Sequence, residues 1–146
     1  MLKGFHGTYE PKLDDKGRFI LPAKLREQLG PSIVLTRGQE RCIYVFPEPE
    51  FERMYEELSK ASLTSKQARL FTRLMLSAAD DQAPDKQGRV SVALPLREYA
   101  NLRRDLVIIG SGRHVEIWDQ EAWNDYLTQS EDEFSDMGEE IVPGLF

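Results

Sequence analysis

The chain has 146 residues, 40% of them hydrophobic, and a net charge of −6 from 25 acids against 19 bases. That describes a globular protein of one ordinary domain or two small ones, not a disordered chain. No apolar run approaches the roughly 20 residues needed to cross a bilayer, the amino terminus lacks the apolar stretch of a secretory signal, and a lone Cys42 leaves no internal disulfide, which fits a reducing cytoplasm.

The charge is unevenly placed. Residues 130–146 hold Glu131, Asp132, Glu133, Asp136, Glu139 and Glu140 and no base, so this tail accounts for the whole net charge. The remaining body is balanced, and a balanced body can still present a basic face if its charges segregate.

In chain order, residues 7–13 alternate weakly and predict a first strand with Pro11 at an edge or bulge. Asp14-Asp15-Lys16-Gly17 is a turn sequence, with Asp accepting backbone N–H bonds and Gly supplying positive φ. Arg18–Leu21 reads as the returning strand. Pro22 opens a short helix that buries Leu25 and Leu29 and stops at Gly30. Ser32–Thr36 and Cys42–Phe46 predict a hairpin around Gly38, with Cys42 as core filler.

After Pro47 and Pro49, the spacing of Phe51, Met54, Tyr55 and Leu58 predicts a helix. A second helix starts near Thr64, with Gln67 completing a capping box, and buries Ala68, Phe71, Leu74, Met75 and Ala78. A turn at Asp85–Gly88, a strand from Arg89, a short helix near Pro95 and strands at Leu106–Gly110 and Val115–Trp118 follow. A last helix carries Trp123, Tyr126 and Leu127. Beyond Ser130 the expectation is a mobile acidic tail whose Ile141, Val142, Leu145 and Phe146 have the character to dock.

The second series of elements repeats the first. Asp14, Gly17, Arg18, Leu25, Arg26 and Glu27 fall, at one constant offset, on Asp85, Gly88, Arg89, Leu96, Arg97 and Glu98. With one further residue inserted, Ile43–Phe46 meets Val115–Trp118 and Phe51 meets Trp123. The period is too long for a solenoid and suits a duplicated small domain. Each half alone would bury a marginal core, so the halves should pack together or oligomerise. The expected organisation is residues 1–79 as the first repeat with a helical pair, 80–129 as the second, and 130–146 as the tail.

Both turns read Asp-x-x-Gly-Arg, and two readings stay open. In one, Asp closes the turn, Gly bends it, and Arg pairs with the Asp four residues back. In the other, the turn projects Arg18 and Arg89 at the rim of a small sheet, where a guanidinium fork suits guanine O6 and N7 or a phosphate. Lys12, Lys16, Lys24, Arg26 and Arg97 are candidate phosphate contacts, against the simpler reading of each as a solvated surface charge.

Enzyme chemistry finds little support. His6 and His114 are far apart, no His/Cys cluster has zinc-ligand spacing, and P-loop, Rossmann and nucleophile-elbow patterns are absent. Asp14, Asp15 and Asp85 sit in polar turns that favour solvated caps over an acid/base pair. The expectation is no catalysis and no cofactor.

Residues 1–127 resemble the MraZ family of bacterial transcriptional regulators associated with the division and cell-wall gene cluster. The resemblance rests on Phe5-x-Gly7, on Asp14-x-Lys16-Gly17-Arg18 and Asp85-x-x-Gly88-Arg89, on Tyr44–Pro47 and on Glu116–Asp119. It implies an α+β fold, an AbrB-like swapped-hairpin (double-ψ) β-barrel of two pseudo-repeats with a helical pair between them, and protomers closing into rings.

It further implies a cytoplasmic, nucleoid-associated protein binding guanine-rich direct repeats in double-stranded DNA upstream of its own operon. Arg18 and Arg89 would contact bases, Asp14 and Asp85 would orient them, Gly17 and Gly88 would shape the turns, and Lys16 would hold phosphate. One departure is Ala93 where the first copy has Pro22, which leaves the start of the second short helix and the aim of Arg89 open. A ring would also offset the unfavourable net charge, because each later contact is intramolecular. The competing reading is an antitoxin-like interaction scaffold whose acidic tail engages a basic partner.

Overall fold

A computed structural model describes residues 1–61, 64–137 and 141–145. Among these residues eight strands and five α-helices follow one another as β1 (Thr8–Tyr9), β2 (Arg18–Ile20), α1 (Ala23–Leu29), β3 (Ile33–Arg37), β4 (Ile43–Pro47), α2 (Glu48–Ser59), α3 (Lys66–Ser77), β5 (Asp80–Gln82), β6 (Arg89–Ser91), α4 (Leu94–Tyr99), β7 (Leu106–Gly110), β8 (Val115–Asp119) and α5 (Gln120–Ser135). The fold is α+β, with two repeats that interlock.

Each repeat gives its first two strands to the other. In the antiparallel sheet, ordered β1-β7-β8-β4-β3-β5, the first repeat's β1 pairs with the second repeat's β7, and β5 pairs with β3. A separate two-stranded ribbon joins β2 to β6. The expected returning strand at Arg18–Leu21 therefore does not fold back on β1; it crosses to its counterpart in the other repeat. The swap is the pairing expected of a swapped hairpin. Among the described residues the strands do not close into a hydrogen-bonded barrel, since β1 and β5 remain edges and the ribbon stands apart. Pro11 suits the first edge, where its carbonyl accepts the Leu106 N–H and no N–H of its own is needed.

Strand alternation sets the layers. Ile33, Leu35, Ile43, Val45, Leu106, Ile108, Val115 and Ile117 face one core with Leu25, Leu29 and Leu96 from α1 and α4 and with Phe19, Leu21, Val90 and Val92 from the ribbon. One core is thus built from both copies, as the marginal size of each half requires. Burying Phe19 and Val90 contributes about 1.5–3 kcal/mol each, so the ribbon is anchored by its inner face. On the sheet's other side, Cys42, Val107 and Trp118 pack with Tyr44, Ile109 and Trp123.

Several local expectations are corrected. The cap of α3 is Ser65, not Thr64; its hydroxyl accepts the Ala68 N–H. Of the stripe expected to be buried on α3, Met75 is buried while Leu74 stays 39% exposed. Helix α3 ends at Ser77, short of the stop expected at Asp80-Asp81, and Asp80–Gln82 form the short strand β5. Helix α5 continues through Ser130 to Ser135, past the point where the tail was placed. Ile141, Val142 and Leu145 are exposed, and Phe146, Glu139 and Glu140 lie outside the described residues.

Candidate nucleic-acid interface

The two Asp-x-x-Gly-Arg turns are built alike. Asp14 Oδ1 accepts the backbone N–H of Lys16 and of Arg18, each at 2.9 Å, and Oδ2 accepts Arg18 Nε at 3.0 Å. Asp85 does the same for Gln87 and Arg89, at 2.9 Å each, with Arg89 Nε at 2.6 Å. Gly17 and Gly88 donate to the carbonyls of Asp14 and Asp85 with φ of 76° and 78°, a conformation glycine adopts without steric cost. Substituting Ala93 for the Pro22 of the first copy changes nothing at this level. The two residues precede their helices with nearly equal backbone angles, and Arg89 is held as Arg18 is.

Both readings of the motif are therefore compatible in one geometry. The carboxylate ties each guanidinium through Nε, and among the described residues the terminal Nη pair of Arg18 and of Arg89 has no hydrogen-bond partner. Both arginines are partly exposed, at 26% and 33% of their side chains. Each carboxyl is held below its ordinary value, first by the backbone N–H of the arginine that follows, with the arginine side chain adding to the effect.

The ribbon brings the two turns together. Arg18 pairs with Ser91, Phe19 with Val90 and Ile20 with Arg89. Since Phe19 and Val90 point into the core, alternation places Arg18, Ile20, Arg89 and Ser91 on the outer face. Arg18 and Arg89 are diagonal neighbours there, a relationship that separates backbone positions by about 7–8 Å.

The turns are braced across the repeats. The Leu21 N–H donates to Gly88 O at 2.9 Å and the Val92 N–H to Gly17 O at 2.8 Å. Arg26 bonds the Leu21 carbonyl while its guanidinium lies over Gly88; Arg97 bonds the Val92 carbonyl and lies over Gly17. Read from sequence as phosphate candidates, these two arginines are half-buried props for the opposite turn. Their recurrence at equivalent positions is the signal that marks them. Lys16 is exposed on the first turn, and Lys12 is paired with Asp105 at 2.6 Å. Asp14 and Asp85 are each committed to their own arginine, which leaves them poorly placed to act as a joint acid/base pair.

Fold and site together define a two-repeat, swapped-hairpin protein that displays paired, carboxylate-held arginines on an open ribbon. The family model described as "MraZ protein, putative antitoxin-like" matches residues 5–74 and again 75–142. A protein of Micrococcus luteus named "Transcriptional regulator MraZ" is 58% identical over 142 residues, 97% of this chain and 99% of that protein. Proteins of the same name from Kocuria rhizophila and Salinispora tropica are 56% and 55% identical, with the same coverage of 97% and 99%. The chain belongs to the MraZ family.

Proposed function

We propose that the chain is a transcriptional regulator that binds double-stranded DNA upstream of its own operon, with Arg18 and Arg89 contacting guanine bases. The observation that carries this is the outer face of the β2–β6 ribbon. Two arginines stand there as diagonal neighbours, each fixed at Nε with its terminal fork open. A two-stranded ribbon fits the major groove, and an Arg fork is the commonest specific contact to guanine. Asp14 and Asp85 hold the forks in place before binding, and exposed Lys16 is positioned for a phosphate. The names of the relatives favour the same reading.

A single protomer with a net charge of −6 is a poor polyanion ligand. A ring of protomers presenting many ribbons to repeated guanine-rich sites supplies by avidity what charge does not.

The test is a fluorescence-anisotropy titration of DNA from upstream of the gene against a scrambled duplex at two salt concentrations. A preference that survives added salt supports the reading. Equal, salt-sensitive binding to both reduces the protein to a generic electrostatic binder. No binding to either favours the interaction-scaffold reading, for which the exposed, acidic end of α5 with Phe134 at 76% exposure is the supporting feature.

A further inference from the structure

The outer face of the ribbon is symmetric in its arginines and asymmetric beside them. Arg18 stands opposite Ser91, and Arg89 opposite Ile20. Ile20 and Ser91 are equivalent positions of the two repeats, so the duplication places a branched hydrocarbon at one and a hydroxyl at the other. Ile20 is 59% exposed, although its strand neighbours Phe19 and Leu21 are 2% and 1% exposed. No packing requirement explains a large apolar side chain at that point.

The ladder fixes how close it lies to the arginine. The cross-strand bonds Leu21 to Gly88 and Val92 to Gly17 make the alternate pairs Ile20–Arg89 and Arg18–Ser91 the non-hydrogen-bonded ones, whose side chains approach most closely. Directly opposite β-carbons are about 4.5–5.5 Å apart, while successive bases on a strand advance about 3.4 Å. A side chain beside Arg89 therefore falls over a base pair next to the one that Arg89 contacts.

The apolar group exposed in the major groove is the C5-methyl of thymine. We infer that Ile20 is a specificity-determining residue that packs on a thymine methyl adjacent to the base read by Arg89, and that Ser91 offers no such contact beside Arg18. This rests on the DNA-binding reading above. The two flanking guanidinium groups argue for a polyanion bearing bases as the occupant of this face, since a second protomer docking here would have to bury both positive charges.

The experiment uses the full chain and the upstream duplex, with thymines replaced one at a time by deoxyuridine, which pairs identically and lacks the methyl. For the native protein, one substitution should weaken binding about fourfold, the value of one buried methyl-sized group. Ile20→Ser, which installs the other repeat's residue at an exposed position, should bind the thymine and deoxyuridine duplexes equally. Ile20→Val should retain the discrimination. The inference is overturned if the native protein ignores every methyl, or if Ile20→Ser keeps the native dependence. It is equally overturned if Ile20→Ser alters the mass of the assembly by light scattering while methyl dependence persists, which would make Ile20 a subunit contact. Absence of any preference of the native protein for the unmodified duplex over a scrambled one would instead remove the DNA reading itself.

Discussion

The guanidinium of Arg26 occupies the space above Gly88 that a β-carbon there would need. Gly88→Ala therefore has two costs. Its left-handed φ of 78° strains any β-carbon by about 1–2 kcal/mol, and Arg26 must leave the Leu21 carbonyl. Chemical denaturation should show Gly88→Ala less stable than the native chain. The loss should shrink when both carry Arg26→Ala, because only the backbone strain then remains.

Titration of the turn carboxyls gives a second test. Asp14 and Asp85 sit below their ordinary value of 3.8 in the folded protein, chiefly through the backbone N–H of Arg18 and of Arg89. A carboxyl depressed on folding contributes stability that is complete above the unfolded value and is lost as pH falls through the folded one. The turns should thus stay intact at neutral pH and loosen only below about pH 4. Carbon NMR of the Asp side chains should place both midpoints below 3.8. In Arg18→Ala the Asp14 midpoint should rise only part of the way, because the backbone donor remains. A midpoint at or above the ordinary value would contradict the geometry.

The acidic end of α5 separates regulator from scaffold. Deleting residues 130–146 would cut a helix that runs to Ser135, so charge neutralisation is the cleaner change. Replacing Glu131, Asp132, Glu133 and Asp136 by their amides should leave DNA affinity unchanged or raise it, since four repulsive charges are removed. A loss of DNA binding with unchanged folding would favour the scaffold.

Avidity requires assembly. Light scattering at micromolar concentration should return a mass well above the 16.8 kDa of one chain. A clean monomer that still binds the upstream duplex tightly would remove the ring from the account.

The repeat was the legible part of this fold. The constant spacing from Asp14 and Arg18 to Asp85 and Arg89 announces the duplication, and local turn chemistry announces the Asp–Arg pairing. The partner of each strand was not legible from the residues themselves. Arg18–Leu21 carries the same short alternation whether it returns to β1 or crosses to β6, and only the resemblance to a swapped-hairpin family pointed to the crossing.

Asp80–Gln82 escaped because an edge strand held by backbone bonds to β3 needs no apolar alternation. The last turns of α5 escaped because they present acids to solvent and bury nothing, so no helical stripe continues beyond Leu127. Charge in a sequence says nothing of whether the guanidinium of Arg26 or Arg97 meets solvent or a carbonyl. In the sequence Ile20 is one more apolar residue of a short strand. Its exposure follows from the ribbon register, which places Phe19 inward and leaves its neighbours outside.

The proposed function depends on the two ribbon arginines reading DNA. The most direct measurement compares the native chain with Arg18→Ala, Arg89→Ala and the double variant on the upstream and scrambled duplexes, with folding and assembly size checked in parallel. Each single change should cost about 1–3 kcal/mol per lost bidentate contact for an isolated ribbon. The double variant should remain folded and assembled, and bind both duplexes alike. A double variant that keeps the native preference for the upstream duplex would contradict the account and confine both arginines to holding their turns.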